Sequence, residues 1–154
     1  MTASALRRPA FISSVIYKDN RAALKWLQKA FGFEASEVLT DAKDNIVHAE
    51  MTHGDGVIMI SNEFTSWAKS PDSVGGANTQ RVHVRLEKGI DEHCARARAA
   101  GAKVAMEPAD QFYGDRTYSA MDPEGHHWTF SQAVKAVTTA EMEQATGFKY
   151  KPLT

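Results

Sequence analysis

The sequence predicts an α+β protein built from two tandem βαβββ modules. Three observations carry that prediction. One order of signals (an apolar run, a helical stripe and three further strand-like runs) occurs twice along the 154 residues. Both helical stripes end on a glycine, Gly32 in the first and Gly101 in the second. A stretch rich in Ser, Pro, Gly and Asn, residues 63–79, separates the two halves.

The first module spans about residues 10–62. An apolar-rich run from Phe11 to Tyr17 meets Asp19-Asn20, either of which can cap a helix by accepting a bond from its free N–H groups. Ala23, Trp26, Leu27, Ala30 and Phe31 then fall at three- and four-residue spacing, the stripe of a half-buried helix. Strand-like runs follow at 34–39, 46–53 and 57–62, broken by Asp41-Ala-Lys-Asp-Asn45 and Gly54-Asp-Gly56. The second module, about 80–132, restarts with Val82, Val84 and Leu86 alternating against polar residues. Ile90, Cys94 and Ala97 mark its helix, and runs near 103–107, 115–121 and 127–132 its remaining strands. Pro108 and Asp122-Pro-Glu-Gly125 read as breaks, the latter a turn because Pro fixes φ and Gly accepts positive φ. Residues 63–79 read as a linker or lid, and a tail, 133–154, carries a short helix from Thr139 to Thr146 that Gly147 stops.

The length suits one domain with a shared core, and 43% hydrophobic with 24% charged residues is an ordinary globular composition. Eighteen Lys and Arg against 19 Asp and Glu leave no basic surplus for a nucleic acid backbone. The single cysteine, Cys94, excludes an internal disulfide and a multi-thiolate zinc site, and its helical setting reads as packing. No apolar run approaches the roughly 20 residues of a membrane span. Met1 to Pro9 lacks the apolar stretch of a signal peptide, so the expected location is the cytoplasm. Gly-x-Ser-x-Gly, phosphate-binding glycine loops and His-Glu-x-x-His do not occur.

With these elements stand Tyr17-Lys-Asp19, Ala30-Phe-Gly-Phe33, Ala99-Ala-Gly-Ala102, Tyr113-Gly-Asp-Arg116 and Asp122-Pro-Glu-Gly-His-His-Trp-Thr-Phe130. Over about residues 10–132 this pattern resembles the vicinal oxygen chelate superfamily of glyoxalases, bleomycin resistance proteins and extradiol dioxygenases, in particular its bleomycin-resistance-like and PhnB-like branches. The resemblance implies a curved open mixed sheet, a cup, with helices on the convex face and a ligand on the concave side. It also implies four metal-ligand positions, which align with Ile12, Met59, Arg81 and Thr129. Ile and Met offer no hard donor, Arg is always cationic and a Thr hydroxyl is weak, so the expectation is no metal cofactor. Shifting one position to Gln80 would restore a single ligand.

Strand alternation sorts the remaining residues by face. Val47, Ala49, Met51, Ile58, Ile60, Val82, Val84, Trp128 and Phe130 should pack toward the helices. His48, Glu50, His83, Arg85 and His127 should then face the cup, where, with Tyr113 and Arg116, they can orient a small polar or anionic ligand. Against that stands the plainer reading that such a polar face only meets water, or that Asp115 and Arg116 merely brace a loop. A displaced metal site from His48, Glu50 and His83 would need three donors within about 2.0–2.2 Å of one ion. His53 and His93 read as solvated, His126 as a core histidine, and Trp26 as core or dimer interface. Trp67, alone in a polar linker, reads as a lid over the cup or a subunit contact.

The leading expectation is a metal-free, homodimeric small-molecule-binding protein, either sequestering its ligand or performing modest acid–base chemistry. The rivals are a metal-dependent lyase, isomerase or dioxygenase with a displaced divalent ion, and a structural or regulatory interaction module. Whether the chain is an enzyme at all, for instance a glyoxalase-like lyase or isomerase, the residues leave open.

Overall fold

The computed structural model describes residues 8–153. Module one comprises β1 (Ser13–Tyr17), α1 (Asn20–Phe31), β2 (Glu34–Thr40), β3 (Ile46–His53) and β4 (Gly56–Asn62). Module two repeats the plan with β5 (Val82–Arg85), α2 (Ile90–Ala99), β6 (Lys103–Asp110), β7 (Asp115–Met121) and β8 (His127–Ala133). Each module forms a four-stranded mixed sheet, ordered β1-β4-β3-β2 in one and β5-β8-β7-β6 in the other. Only the outer pairs β1–β4 and β5–β8 are parallel. The α+β duplication read from the sequence is therefore the observed one, open rather than closed into a barrel.

Local chemistry explains the helix boundaries. The Asp19 carboxylate accepts the Ala22 N–H at 2.9 Å to start α1, and Gly32 ends it in the left-handed region at φ 72°. The last carbonyls of α1 are taken by α2: Arg96 donates to Gln28 O and Lys29 O, and His93 Nε2 donates to Phe31 O. This cross-capping satisfies groups that a helix end otherwise leaves to water. A third helix, α3 (Thr139–Thr146), opens with a capping box between Thr138 and Glu141 and closes on Gly147.

One core serves both modules. Phe31 lies 5.5 Å from Trp128 and 4.7 Å from Phe130, ring centre to ring centre, so the end of α1 packs on the sheet of module two. Trp128, Phe130 and Phe31 are fully buried, and truncating one such aromatic to alanine typically costs about 3–5 kcal/mol. A buried carboxylate closes one end of the seam. Asp122 accepts from Tyr17 OH at 2.6 Å and Trp128 Nε1 at 3.1 Å, while its other oxygen accepts the N–H groups of Glu124 and His126. Burial and the adjacent Asp122 charge drive the Tyr17 phenol well above its ordinary range, so it stays a donor.

Several expectations need correction. The first strand starts at Ser13, and Phe11 is almost fully exposed. Val47 does not pack: the register shifts between Leu39 and Thr40, a bulge that buries Ile46 and turns Val47 outward. Pro108 does not end its strand, because β6 is an edge strand whose register shifts between Met106 and Ala109, and no ladder bond there requires a Pro N–H. His93 is not solvated. Its Nδ1 meets Tyr118 OH at 2.6 Å and its ring stacks on Phe31, and burial lowers its imidazole pKa below 6.5.

Residues 63–79 form a strap with a short 3-10 turn, Pro71–Val74. Ser70 is fully buried, bonding Glu63 through its N–H and Glu124 through its hydroxyl. Asn78 bridges to Gly125 O and the His127 N–H. Among the described residues no helix is long and apolar enough to cross a membrane.

Candidate functional site

At the end of the seam opposite Asp122 the modules stand apart and leave a cleft of about 370 Å³, within the size range of small-molecule sites. Phe33, Met51, Ile58, Val82, Val84 and Trp128 give it an apolar wall. His53, Asp55, His83 and Arg85 stand at it as polar groups, and Phe11 and Ser13 line the β1 side. The shape follows from two local features. His53 pairs with Gly56, so β3 and β4 join through the two-residue turn Gly54-Asp55, with Gly54 at φ 57°. In β5 alternation turns Val82 and Val84 inward and leaves His83 and Arg85 exposed.

Of the residues singled out from sequence, the structure brings His83 and Arg85 to this cleft. His83 Nε2 lies 2.8 Å from Ser131 Oγ, and Arg85 reaches Asp115 loosely at 3.4 Å. His48 and Glu50 sit elsewhere on module one: Glu50 is buried and takes Arg8 Nη2 at 2.6 Å and His48 Nε2 at 3.2 Å. The hydrogen bond from Arg8 holds the Glu50 carboxyl below its usual range despite the opposing effect of burial, so it is a carboxylate. His127 is half-buried on β8, its N–H given to Asn78.

Tyr113 and Arg116 do not line the cleft. Tyr113 packs edge-to-face on Phe112 in the β6–β7 turn. Arg116 pairs with Gln132 on the helix side of its sheet and ties Asp110 to Asp91 of α2 at 2.9 and 3.0 Å. It braces a hairpin against a helix. Trp67 lies on the strap, edge-to-face with Phe64 at 5.4 Å, and lines a different cavity.

Sequence reasoning missed His53 and Asp55 at the cleft. The signal for His53 was present, since it extends the inward parity of Ala49 and Met51, and its ring indeed lies 5.7 Å from Phe33. No comparable signal marks Asp55, which reaches the cleft only through the folding of its turn.

The four positions that the family resemblance would give to a metal hold Ile12, Met59, Arg81 and Thr129, and this donor set does not fit a divalent ion. Among the described residues no group of three or more His, Cys, Asp or Glu gathers closely enough to hold one. His48 and Glu50 pair with each other, while His83 bonds Ser131 in the other module.

Comparison with known proteins places this geometry. The sequence profile of the Glyoxalase/Bleomycin resistance protein/Dioxygenase superfamily matches residues 10–130. TioX from Micromonospora sp. ML1 is 30% identical, superposes with a TM-score of 0.66, and the match covers 82% of this chain and 99% of TioX. TnmS3, an antibiotic binding protein from Streptomyces sp. CB03234, shares the fold at 18% identity and a TM-score of 0.61, over 81% of this chain and 97% of its own. An uncharacterized protein of Mycobacterium bovis is 27% identical over 141 residues, 89% of this chain and 91% of that protein. The chain therefore belongs to the glyoxalase/bleomycin resistance protein/dioxygenase superfamily.

Proposed function

We propose that this protein binds a small organic molecule in the inter-module cleft and sequesters it, without a metal ion, as a cytoplasmic homodimer. The cleft carries the reading: about 370 Å³ with an apolar wall and a few polar groups at its margin is the form of a site that holds an organic skeleton and orients it. His83 and Arg85 supply donors for an acceptor-rich or anionic part of the ligand, and Asp55 offers an acceptor. That the fold-mate TnmS3 is described as an antibiotic binding protein is consistent with such a role.

Val38 and Leu39 of β2 and Val47 of β3 are exposed apolar side chains, and a second copy can cover them, which supports the dimer.

The test is mass spectrometry of small molecules released on denaturing the purified protein, with metal analysis and molar mass by light scattering. Retention of a stoichiometric organic molecule is the expected result, and its loss in Val57→Trp, since Val57 lines the cleft and an indole there fills it. Stoichiometric divalent metal whose removal abolishes ligand retention would overturn the metal-free reading, and a monomer at micromolar concentration would overturn the dimer. A second reading, acid–base chemistry, rests on the 2.8 Å contact between His83 and Ser131, which fixes the imidazole at the cleft. Turnover of the retained molecule that disappears in His83→Ala would favour it.

A further inference from the structure

The strap between the modules has a rigid base and an exposed aromatic tip, and that contrast calls for an occupant. Its base is pinned by Ser70 and Asn78 to the β7–β8 turn, and by Lys18 to Asp72 at 2.7 Å. Its tip leaves Phe64 61% and Trp67 75% exposed, edge-to-face at 5.4 Å. Side chains of this size on a fixed segment normally find cover. Both rings stand on the rim of a cavity of about 320 Å³ whose inner side is Ser14 and Ile16 of β1. Ser13, the residue before, lines the inter-module cleft instead, so β1 is the wall between two cavities, its successive side chains facing opposite ways.

We infer that this second cavity is a binding site for a flat, neutral or weakly basic heteroaromatic molecule bearing N–H donors. Three features set the class. The Phe64 and Trp67 rings offer π faces, which suit a planar ring or a soft cation. Two of the polar groups that line the space, His126 and Gln80, present acceptors. His126 must donate from Nε2, because its partner at 2.6 Å is the Ile16 carbonyl, and in that tautomer Nδ1 is the acceptor. Gln80 spends its amide N–H on Ser14 O at 3.0 Å, which leaves its carbonyl oxygen to accept. The cation at the rim, Lys69, already faces Glu63 at 3.5 Å, so an anionic ligand gains little there. This site is independent of the cleft reading.

The probe is 2-aminobenzimidazole, with cyclohexylurea as a non-planar donor and naphthalene-2-sulfonate as a planar anion without N–H donors. Titration followed by amide and indole N–H resonances should shift Trp67, Ala68 and Gln80 on adding 2-aminobenzimidazole, with much weaker response to both controls. Trp67→Ala should weaken binding about tenfold, the loss expected for one stacking partner, and Phe64→Ala by a smaller factor. Gln80→Leu should erase the preference over naphthalene-2-sulfonate. Because Trp67 is mostly exposed, its replacement leaves the core intact, and Val57→Trp in the cleft should leave this binding unchanged. The inference is overturned by shifts confined to the cleft, by equal response to all three probes, or by concentration-dependent shifts of Trp67 without probe, which would mark a self-association surface.

Discussion

The two β-hairpin turns that face the seam occupy equivalent places in the duplicated plan and do opposite things. In module two the β7–β8 turn, Asp122 to His126, drives a buried carboxylate between the modules, where it holds Tyr17 at the end of β1. In module one the β3–β4 turn, Gly54-Asp55, stays short and meets the end of β5 with open space between. One end of the seam is locked and the other is the cleft. Duplication thus supplies a symmetric scaffold, and a difference of a few turn residues leaves one of two equivalent gaps open as a cleft.

Breaking the lock should have the largest effect. Asp122→Ala leaves a phenol and an indole N–H buried without their acceptor and frees two backbone N–H groups of the turn, an expected loss of about 3–5 kcal/mol. Urea unfolding measures it. Tyr17→Phe removes one of those bonds and keeps the others, so about 1–2 kcal/mol is expected. If both substitutions were neutral, the Asp122 network would not be what joins the modules.

Much of this was legible in the sequence where one residue type has one local use. Gly32 and Gly147 mark helix ends because each accepts a left-handed backbone. Alternation sorted Ile58, Ile60, Trp128 and Phe130 correctly because those strands carry no register shift. It failed at Val47, where a bulge resets the parity of everything before it, and bulges leave no reliable trace in composition. Tertiary partners were harder to read, and so was the candidate site, where Asp55 reaches the cleft only through the folding of its turn. His93 looked outward on its own helix, and only the packing of α1 beside α2 buries it against Phe31 and Tyr118. Asp122 read as a turn former; that it also binds a tyrosine 105 positions away is a tertiary fact.

His93 sharpens the comparison from within the core, since it links the two modules by bonding both Phe31 O and Tyr118 OH. Burial disfavours its charged form more strongly than the Phe31 carbonyl supports it, and His53 and Arg96 add repulsion. The folded imidazole pKa lies below 6.5, whereas the unfolded chain takes up its proton near 6.5. Stability from this group is therefore full above pH 6.5 and falls as pH drops from there toward the depressed value. Urea midpoints measured between pH 8 and pH 5 should show that decline. His93→Gln should lower stability at pH 8 and flatten the slope; an unchanged slope would mean that the titrating group lies elsewhere.

The open end should respond least in stability and most in binding. Asp55 is exposed, sits at the tip of a turn whose conformation Gly54 supplies, and joins no buried network, so Asp55→Ala should change unfolding free energy by no more than about 0.5 kcal/mol. Yet it stands at the cleft, across from Arg85, and its loss removes an acceptor from that margin. Comparing Asp55→Ala with Asp122→Ala therefore separates the two turns by what each does: the first should alter ligand retention with the fold intact, the second should loosen the fold. Retention unchanged in Asp55→Ala and Arg85→Ala together would leave the cleft with apolar contacts alone, and a stability loss in Asp55→Ala equal to that of Asp122→Ala would erase the distinction between the two ends.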